Sequence, residues 1–187
     1  MRKITELSDE EIIALVRGDD VDAYGEIMAR YESKLTRYVV YLIHDAMVAN
    51  DVVQETFIKT YKNVQGFNPK YKFSSWIYRI AHNEAMNAIK MDKHITHDLD
   101  VEEVREAAYE TTTIRDIDRS ILKNDMQACL DSIDLKYREV LMLQYYEHMK
   151  YDEIADVLHV PPATVGVWAA RGKSKLRVLC EKKGVHL

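Results

Sequence analysis

Behind Ser8-Asp9-Glu10-Glu11 the apolar residues Ile12, Leu15 and Val16 recur at helical spacing as far as Gly18. That opening is a capping box, in which the Ser8 hydroxyl and the Glu11 carboxylate satisfy backbone N–H groups that a first helical turn leaves without partners. A short first helix is predicted. After Asp19-Asp20 the positions Ala23, Tyr24, Ile27, Tyr31, Leu35, Tyr38, Val39 and Leu42 keep a period of about 3.6 residues, which predicts a long amphipathic helix ending near His44. A third helix is expected from about Ala46 to Val64, with Val48, Val52, Val53, Phe57 and Tyr61 turned inward. Turn residues break it at Gln65-Gly66-Phe67-Asn68-Pro69-Lys70-Tyr71-Lys72, and Phe73 to about Met91 is helical again. Four helices with short connections can bury one bundle core, so residues 1–91 read as a first domain.

From Asp92 to Ser120 the apolar positions lose their period, although Val101 to Tyr109 is a candidate for one short helix. This stretch, extended to residue 122, reads as a linker that is partly disordered in isolation. The helical pattern resumes at about Lys123 and gives residues 123–187 as a second domain of four helices. Met126, Cys129, Leu130 and Ile133 mark one helix, and Val140, Leu141, Gln144 and Tyr145 the next. Asp152 to Leu158 is short, with Ile154, Ala155 and Leu158 on one face. His159-Val160-Pro161-Pro162 turns the chain into a final basic helix that reaches about Lys183, and Pro162 suits its first turn because the N–H it lacks has no partner there. The fold class expected is therefore all-α, with a helix-turn-helix near the end.

Composition agrees, since Gly and Pro together supply only 9 of 187 residues. The longest stretch free of Asp, Glu, Lys and Arg, Val157 to Ala170, is broken by two prolines and is too short to span a bilayer. The basic N-terminus has no apolar run behind it, so neither a membrane helix nor a signal peptide is read and a cytoplasmic location is expected. Cys129 and Cys180, without a CxxC or zinc-type spacing, are expected to be buried small hydrophobes in a reducing compartment.

The net charge of −5 looks unfavourable for a nucleic-acid binder until it is divided along the chain. Residues 91–125 hold ten acids against five bases. Lys59 to Lys90 carries six bases against Glu84, and Arg171 to Leu187 six against Glu181. Two basic patches thus flank an acidic stretch, each able to meet phosphates; solvated lysine-rich helix faces would give the same pattern.

Three motifs sharpen this picture. Tyr151-Asp-Glu-Ile-Ala-Asp-Val-Leu-His-Val-Pro-Pro-Ala-Thr-Val165 closely resembles the helix-turn-helix of sigma factor region four. Asn50-Asp-Val-Val-Gln-Glu-Thr-Phe57 is similar to the D-x-x-Q-E-x-F signature of sigma region two, and Phe73-Ser-Ser-Trp-Ile-Tyr-Arg-Ile-Ala-His-Asn83 to the F-x-x-W-L-x-x-I-A-x-N signature that follows it. In this order and at these separations the motifs resemble the two-domain extracytoplasmic-function (ECF) sigma factors over nearly the whole chain. The resemblance implies a four-helix region-two bundle, an acidic linker and a four-helix region-four domain. It further implies that the protein binds core RNA polymerase through the clamp helices of the largest subunit and through the flap, and directs promoter recognition, opening and initiation. An anti-sigma factor is a further candidate partner.

By this resemblance Asp51, Gln54 and Glu55, which share one face of the third helix, dock on polymerase. Asn68, Lys70, Tyr71, Lys72, Trp76, Arg79, Asn83 and Lys90 take the minus-ten element, the loop holding an extruded base. Aromatic and cationic groups interleaved in this way are the chemistry of single-strand capture, although Trp76, one turn from Ile80, also suits the core. Thr164, Gly166, Val167, Trp168, Arg171, Lys173, Lys175 and Arg177 face the minus-thirty-five element. Here the chain departs from the family, whose members often follow Thr-Val with Lys-Ser-Arg. Gly166-Val167-Trp168 offers few hydrogen bonds to base edges, and Val167 and Trp168 suit either a thymine methyl or packing. Asn87 and Lys90 likewise stand where the family often has Asp and Arg.

A helix-turn-helix regulator acting without polymerase would explain residues 126–187 but leaves Asp51, Gln54, Glu55 and the aromatic loop unused. An HD-type metal phosphohydrolase is suggested only by His44-Asp45, which has no earlier His ligand. His94-x-x-His97 is a weak metal signal. No P-loop or nucleophile elbow is present; no enzyme activity, cofactor or metal is expected.

Overall fold

The computed structural model describes residues 3–91 and 128–182, and the chain divides into two compact units. Every element among the described residues is helical. The expected linker lies wholly outside them.

The first unit opens with α1 (Asp9–Arg17), closed at its start by the expected capping box: Glu11 N–H donates to Ser8 Oγ at 3.2 Å and Ser8 N–H to the Glu11 carboxylate at 2.7 Å. Its buried face is Ile12, Ile13 and Val16, while Leu15 is exposed. The short helix places Ile13 one residue from Ile12 on the inward arc, which the expected stripe through Leu15 missed. Helix α2 (Tyr24–Ile43) buries the predicted stripe from Tyr24 to Leu42, and His44 ends it in the left-handed region at φ 59°. Asp45 then caps α3 (Ala46–Lys62), its carboxylate accepting from Met47 N–H at 2.8 Å and Val48 N–H at 3.0 Å. His44-Asp45 is therefore a helix-to-helix junction.

Val52, Val53 and Phe57 of α3 are buried as expected. Tyr61 is exposed, with its ring edge-on to Tyr24 at 5.2 Å. The Tyr24 hydroxyl donates to the Phe57 carbonyl at 2.8 Å, and burial pushes its phenol well above the usual range. Helix α4 (Phe73–Met91) buries Phe73, Ile77, Ala81 and Ala85 at i, i+4, i+8 and i+12 together with Tyr78, and it packs on α2 and α3. The two alanines allow close backbone approach.

Arg30 of α2 secures the N-terminal segment. Its guanidinium donates to the carbonyls of Leu7 at 2.9 Å and Thr5 at 3.1 Å and to the carboxylates of Asp9 and Glu26, both at 2.8 Å. Tyr31, the next residue, donates its hydroxyl to the other oxygen of Asp9. A planar guanidinium with five donors suits a crowded set of acceptors of this kind.

In the second unit a helical turn at residues 128–131 precedes α5 (Leu135–Tyr145), which is followed by α6 (Tyr151–Leu158) and α7 (Pro162–Lys182). Helix α5 was marked in the sequence by Val140, Leu141, Gln144 and Tyr145, as if these shared one face. Instead every residue from Tyr137 to Leu143 is buried and Tyr145 is exposed. A helix covered all round carries no amphipathic period. Arg138 and Glu139 are among the buried residues; Arg138 lies 3.5 Å from Asp131 of the preceding turn, and burial is the main influence lowering its pKa.

Helix α6 starts with Lys150 N–H donating to the Glu153 carboxylate at 2.8 Å and ends at His159, left-handed at φ 53°. Val157 is buried beside Ile154 and Ala155, with the expected Leu158 half-buried. Helix α7 begins at Pro162 as read from the sequence. Its inner face runs through Val165, Ala169, Gly172 and Cys180, with Leu176 packed against the same core. Cys129 and Cys180 are both buried and pack together.

Candidate nucleic-acid interface

The polar face predicted on α3 is at the surface. Asp51 and Gln54 are exposed, and Glu55 is half-exposed on the adjoining arc. Lys59 approaches Glu55 at 3.6 Å and Glu84 of α4 at 2.6 Å; the hydrogen bond to Glu84 is the main cause of the raised Lys59 pKa. Two residues that were not singled out in the sequence complete this face. Met47, four residues before Asp51, is 79% exposed, and Ile58, four after Gln54, is 45% exposed. Met47, Asp51, Gln54 and Ile58 form one stripe at i, i+4, i+7 and i+11, apolar at both ends and polar in the middle. The signal was available as apolar residues on the same wheel position as Asp51.

Between α3 and α4 a 3₁₀ turn at Val64–Gly66 leads into the aromatic loop. Phe67 and Phe73 are buried, with ring centroids 5.6 Å apart, and Trp76 lies 5.3 Å from Phe67 and 5.8 Å from Phe73. Trp76 thus belongs in part to this cluster, yet it remains half-exposed and, with Ile80, Lys62, Asn63, Gln65 and Gly66, lines a cavity of about 460 Å³. Asn68 shapes the loop tip: its side-chain oxygen accepts from Lys70 N–H and its carbonyl from Tyr71 N–H, both at 3.1 Å. Lys70 and Lys72 are exposed, and Tyr71 is 57% exposed. An aromatic ring held in water beside two cations is available for stacking. Along α4, Trp76, Arg79, Asn83 and Lys90 follow i, i+3, i+7 and i+14 and share one stripe turned away from the buried one; Arg79 is half-exposed and the last two are exposed.

The sequence did not show what holds this loop. The Glu10 carboxylate of α1 accepts from Phe73 N–H at 3.0 Å. Arg17, at the other end of α1, donates to the Phe67 carbonyl at 3.2 Å, and Gln65 donates its side-chain N–H to the Arg17 carbonyl at 3.3 Å. These bonds link residues 48 to 63 positions apart, beyond the reach of a local pattern.

On α7 the predicted residues separate. Val167 is 47% exposed, and Ala163, Ala170, Arg171 and Ser174 share its outward face. Trp168 instead packs on the core formed by Leu130, Ile133, Tyr137 and Leu141. Gly166 is half-buried, and a Cβ there would meet the Tyr151 ring at 3.6 Å. Thr164 is half-buried and donates its N–H to the Pro161 carbonyl at 2.9 Å. Lys173 lies over the Tyr145 ring at 5.3 Å, and Arg177 pairs with Glu181 at 3.1 Å. Lys175 pairs with Asp134 at 2.7 Å and lies 4.9 Å from the centre of the Tyr137 ring.

Among the described residues no group of three His, Cys, Asp or Glu side chains is arranged to hold a metal ion, and no helix is long and apolar enough to cross a membrane. His94 and His97 lie outside them.

Comparison with known proteins gives matches over both units. Residues 27–94 match sigma-70 region 2 and residues 123–176 match sigma-70 region 4. The RNA polymerase sigma-H factor of Pseudomonas aeruginosa is 29% identical over 170 residues, covering 87% of this chain and 88% of that protein. SigW, an ECF RNA polymerase sigma factor of Bacillus subtilis, is 28% identical over 92% of this chain and 96% of its own length. The ECF RNA polymerase sigma-E factor of Haemophilus influenzae is 30% identical over 86% of this chain and 88% of its own. Among solved structures, CnrH in complex with the cytosolic domain of CnrY aligns at a TM-score of 0.69 and 22% identity, covering 93% of this chain and 97% of that one. The sigma factor RpoE of Bartonella quintana, in complex with the anti-sigma factor NepR, aligns at 0.64 and 17% identity over 84% and 96%.

Proposed function

The chain belongs to the extracytoplasmic-function RNA polymerase sigma factors, and from that membership we propose how its residues divide the work of an alternative sigma factor, which binds core polymerase and directs promoter recognition and transcription initiation. Residues 1–91 act as the region-two domain, residues 92–122 as the acidic linker and residues 123–187 as the region-four domain. Asp51, Gln54 and Glu55 meet the basic clamp helices of the largest polymerase subunit, and the region-four domain meets the flap. The observation that carries the first assignment is the α3 stripe, where exposed Met47 and Ile58 flank the polar pair Asp51 and Gln54. Apolar groups give an interface its buried core, while carboxylates steer encounter with a cationic partner.

On the promoter side, Asn68, Lys70, Tyr71 and Lys72 take the separated minus-ten strand. Trp76, Arg79, Asn83 and Lys90 continue that track along α4. Stacking on Tyr71 favours the open form because a base presents its face only after it leaves the duplex. Arg171, Lys173, Lys175 and Arg177 grip phosphates at the minus-thirty-five element, with Thr164, Gly166 and Val167 nearest the bases and Trp168 fixing the helix on its core. The bonds of the transcript are made by polymerase, so the factor needs no catalytic group of its own. Its partners place it in the cytoplasm. An anti-sigma factor is a further partner, as NepR is for RpoE of Bartonella quintana.

Run-off transcription with core polymerase across a promoter library tests this reading. Promoter-specific transcripts that require both components are expected. Tight promoter binding by the free chain, with no transcript on adding core enzyme, would instead identify a regulator that works without polymerase.

A further inference from the structure

We infer that α1 is a brace for promoter opening and that Glu10 and Arg17 are positioning residues, acting on the melted strand through the loop they hold. The inference rests on the promoter reading given above. Helix α1 lies ahead of the segment that matches sigma-70 region 2, which begins at residue 27. None of its side chains is assigned to DNA or polymerase. Its two ends nevertheless hold the two ends of the aromatic loop.

At the far end of the loop, Phe73 is the first residue of α4, and its N–H is one of those that a helix start leaves without an internal partner. Glu10 fills that vacancy from another element, at 3.0 Å. A carboxylate at a helix N-terminus is also favoured by the helix dipole. At the near end, Arg17 donates to the Phe67 carbonyl and receives the Gln65 amide on its own carbonyl. The bonds made by the Glu10 carboxylate and the Arg17 guanidinium are charge-assisted, stronger than neutral ones and directional, whereas the Gln65 bond to the Arg17 carbonyl is neutral. Between the two anchors only residues 68–72 remain, and these include Asn68, Lys70, Tyr71 and Lys72.

Helix α1 is itself secured. Asp9, beside Glu10, is held by Arg30 and Tyr31, and the Tyr31 ring stands edge-on to Phe73 at 5.7 Å. Loop, α1 and α2 thus form one closed circuit around Phe67 and Phe73. A loop fixed at both ends presents Tyr71 and Lys72 in one arrangement before DNA arrives, so ordering is not charged against strand capture. Removing either side chain loosens the loop without touching a residue that meets DNA.

The test uses the full chain assembled with core polymerase and compares Glu10→Ala, Arg17→Ala and the conservative Glu10→Gln, whose side-chain oxygen still accepts from Phe73 N–H. The readouts are opening of a duplex promoter reported by 2-aminopurine, affinity for a single-stranded minus-ten oligonucleotide, affinity for core polymerase and the melting temperature. Glu10→Ala and Arg17→Ala are expected to weaken opening and oligonucleotide capture by about tenfold, the scale of one lost charge-assisted bond. Core affinity should stay near wild type, the melting temperature should fall by no more than the several degrees that loss of one helix-end bond causes, and Glu10→Gln should recover most of the loss. Normal opening in both alanine variants would overturn the brace, as would a fall in core affinity or melting temperature matching the fall in opening. A parallel Tyr71→Ala, Lys72→Ala variant separates the two levels. If it is defective while the Glu10 and Arg17 variants are normal, the brace fails alone; if it too is normal, the promoter reading fails.

Discussion

The carboxylate of Asp134 and the ammonium of Lys175, 41 positions apart in sequence, meet at 2.7 Å on the surface of the second unit. The hydrogen bond from Lys175 holds the Asp134 carboxyl below the usual carboxylate range. A depressed acid contributes its link above the unfolded-state value, about 3.9, and loses it only as pH falls through the lower folded value. The pair is therefore intact at neutral pH, and Lys175 must leave it to reach a phosphate. Arg171, exposed on the outer face of α7, has no such competitor among the ion pairs of the described residues. Replacing Arg171 by Ala should lower the salt slope of upstream-element binding by about one unit, and Lys175→Ala should lower it less. Asp134→Asn should steepen the slope by releasing Lys175. Holoenzyme binding measured across a salt series checks all three.

Charge reversal at Asp51 and Glu55 should weaken core-polymerase binding without unfolding the bundle. Exposed charges of this kind typically change stability by about 0.5 kcal/mol or less. Replacing Ile58 by Asp should add to the defect, because its exposed side chain shares the same stripe. Competition for core enzyme against the wild-type chain, with circular dichroism melts alongside, is the measurement. A large loss of helicity would mark the face as structural.

Truncating Tyr71 and Lys72 to Ala should impair promoter opening more than closed-complex formation. Stacking is worth about 1 to 3 kcal/mol per base and is available only once strands part. Permanganate reactivity of the melted bases, set against binding to a duplex that stays closed, separates the steps. Equal losses in both would remove strand capture from the role of the loop.

Gly172 lets α7 rest directly on α5. A Cβ at this position would lie 3.2 Å from Leu141 Cδ1 and 3.3 Å from Tyr137 Cβ, and the second of these atoms moves only with the α5 backbone. Gly172→Ala gains up to about 1 kcal/mol of helix propensity but overpacks a filled core, at about 1 to 3 kcal/mol. A net destabilisation is expected, read as a lower urea midpoint with an unchanged slope. A rise in the midpoint would show that α5 and α7 can separate at little cost.

Val167 and Trp168, adjacent in sequence, should respond oppositely. Val167→Ser changes an exposed side chain near the start of α7 and should alter which upstream element is selected, each base contact being worth about 1 to 3 kcal/mol. Trp168→Ala removes packing from Leu130, Ile133, Tyr137 and Leu141 and should lower stability by about 2 kcal/mol or more, with little change in preference. Selection of upstream elements by each holoenzyme, together with melting of each free variant, tests the split.

The amphipathic helices were legible in the sequence because each has one wet face. Tyr24 to Leu42 in α2 shows this, as does the capping box at Ser8. Helix α5 was misread for the opposite reason, since burial from Tyr137 to Leu143 leaves no polar stripe to set the period. The candidate site divides in the same way. Asp51 and Gln54 share a face by spacing alone, whereas the hold of Glu10 on Phe73, the pairing of Lys175 with Asp134 and the inward turn of Trp168 depend on residues brought together only by the fold. Local pattern contains no information about a partner 41 or 63 positions away.

Arg138 carries a cation into the interior of the second unit, and Asp131, in the turn ahead of α5, is one of the groups that faces it. The helix-turn-helix motif itself begins only at Tyr151. A fragment begun at residue 132 would retain every residue assigned to the minus-thirty-five element and still strip a counter-ion from a buried guanidinium, and breaking a buried pair costs about 3 to 5 kcal/mol. Competence to bind the upstream element is thus set in part by a carboxylate twenty positions before the motif, and the smallest autonomous DNA-binding piece of this chain has to start ahead of the turn that contains it.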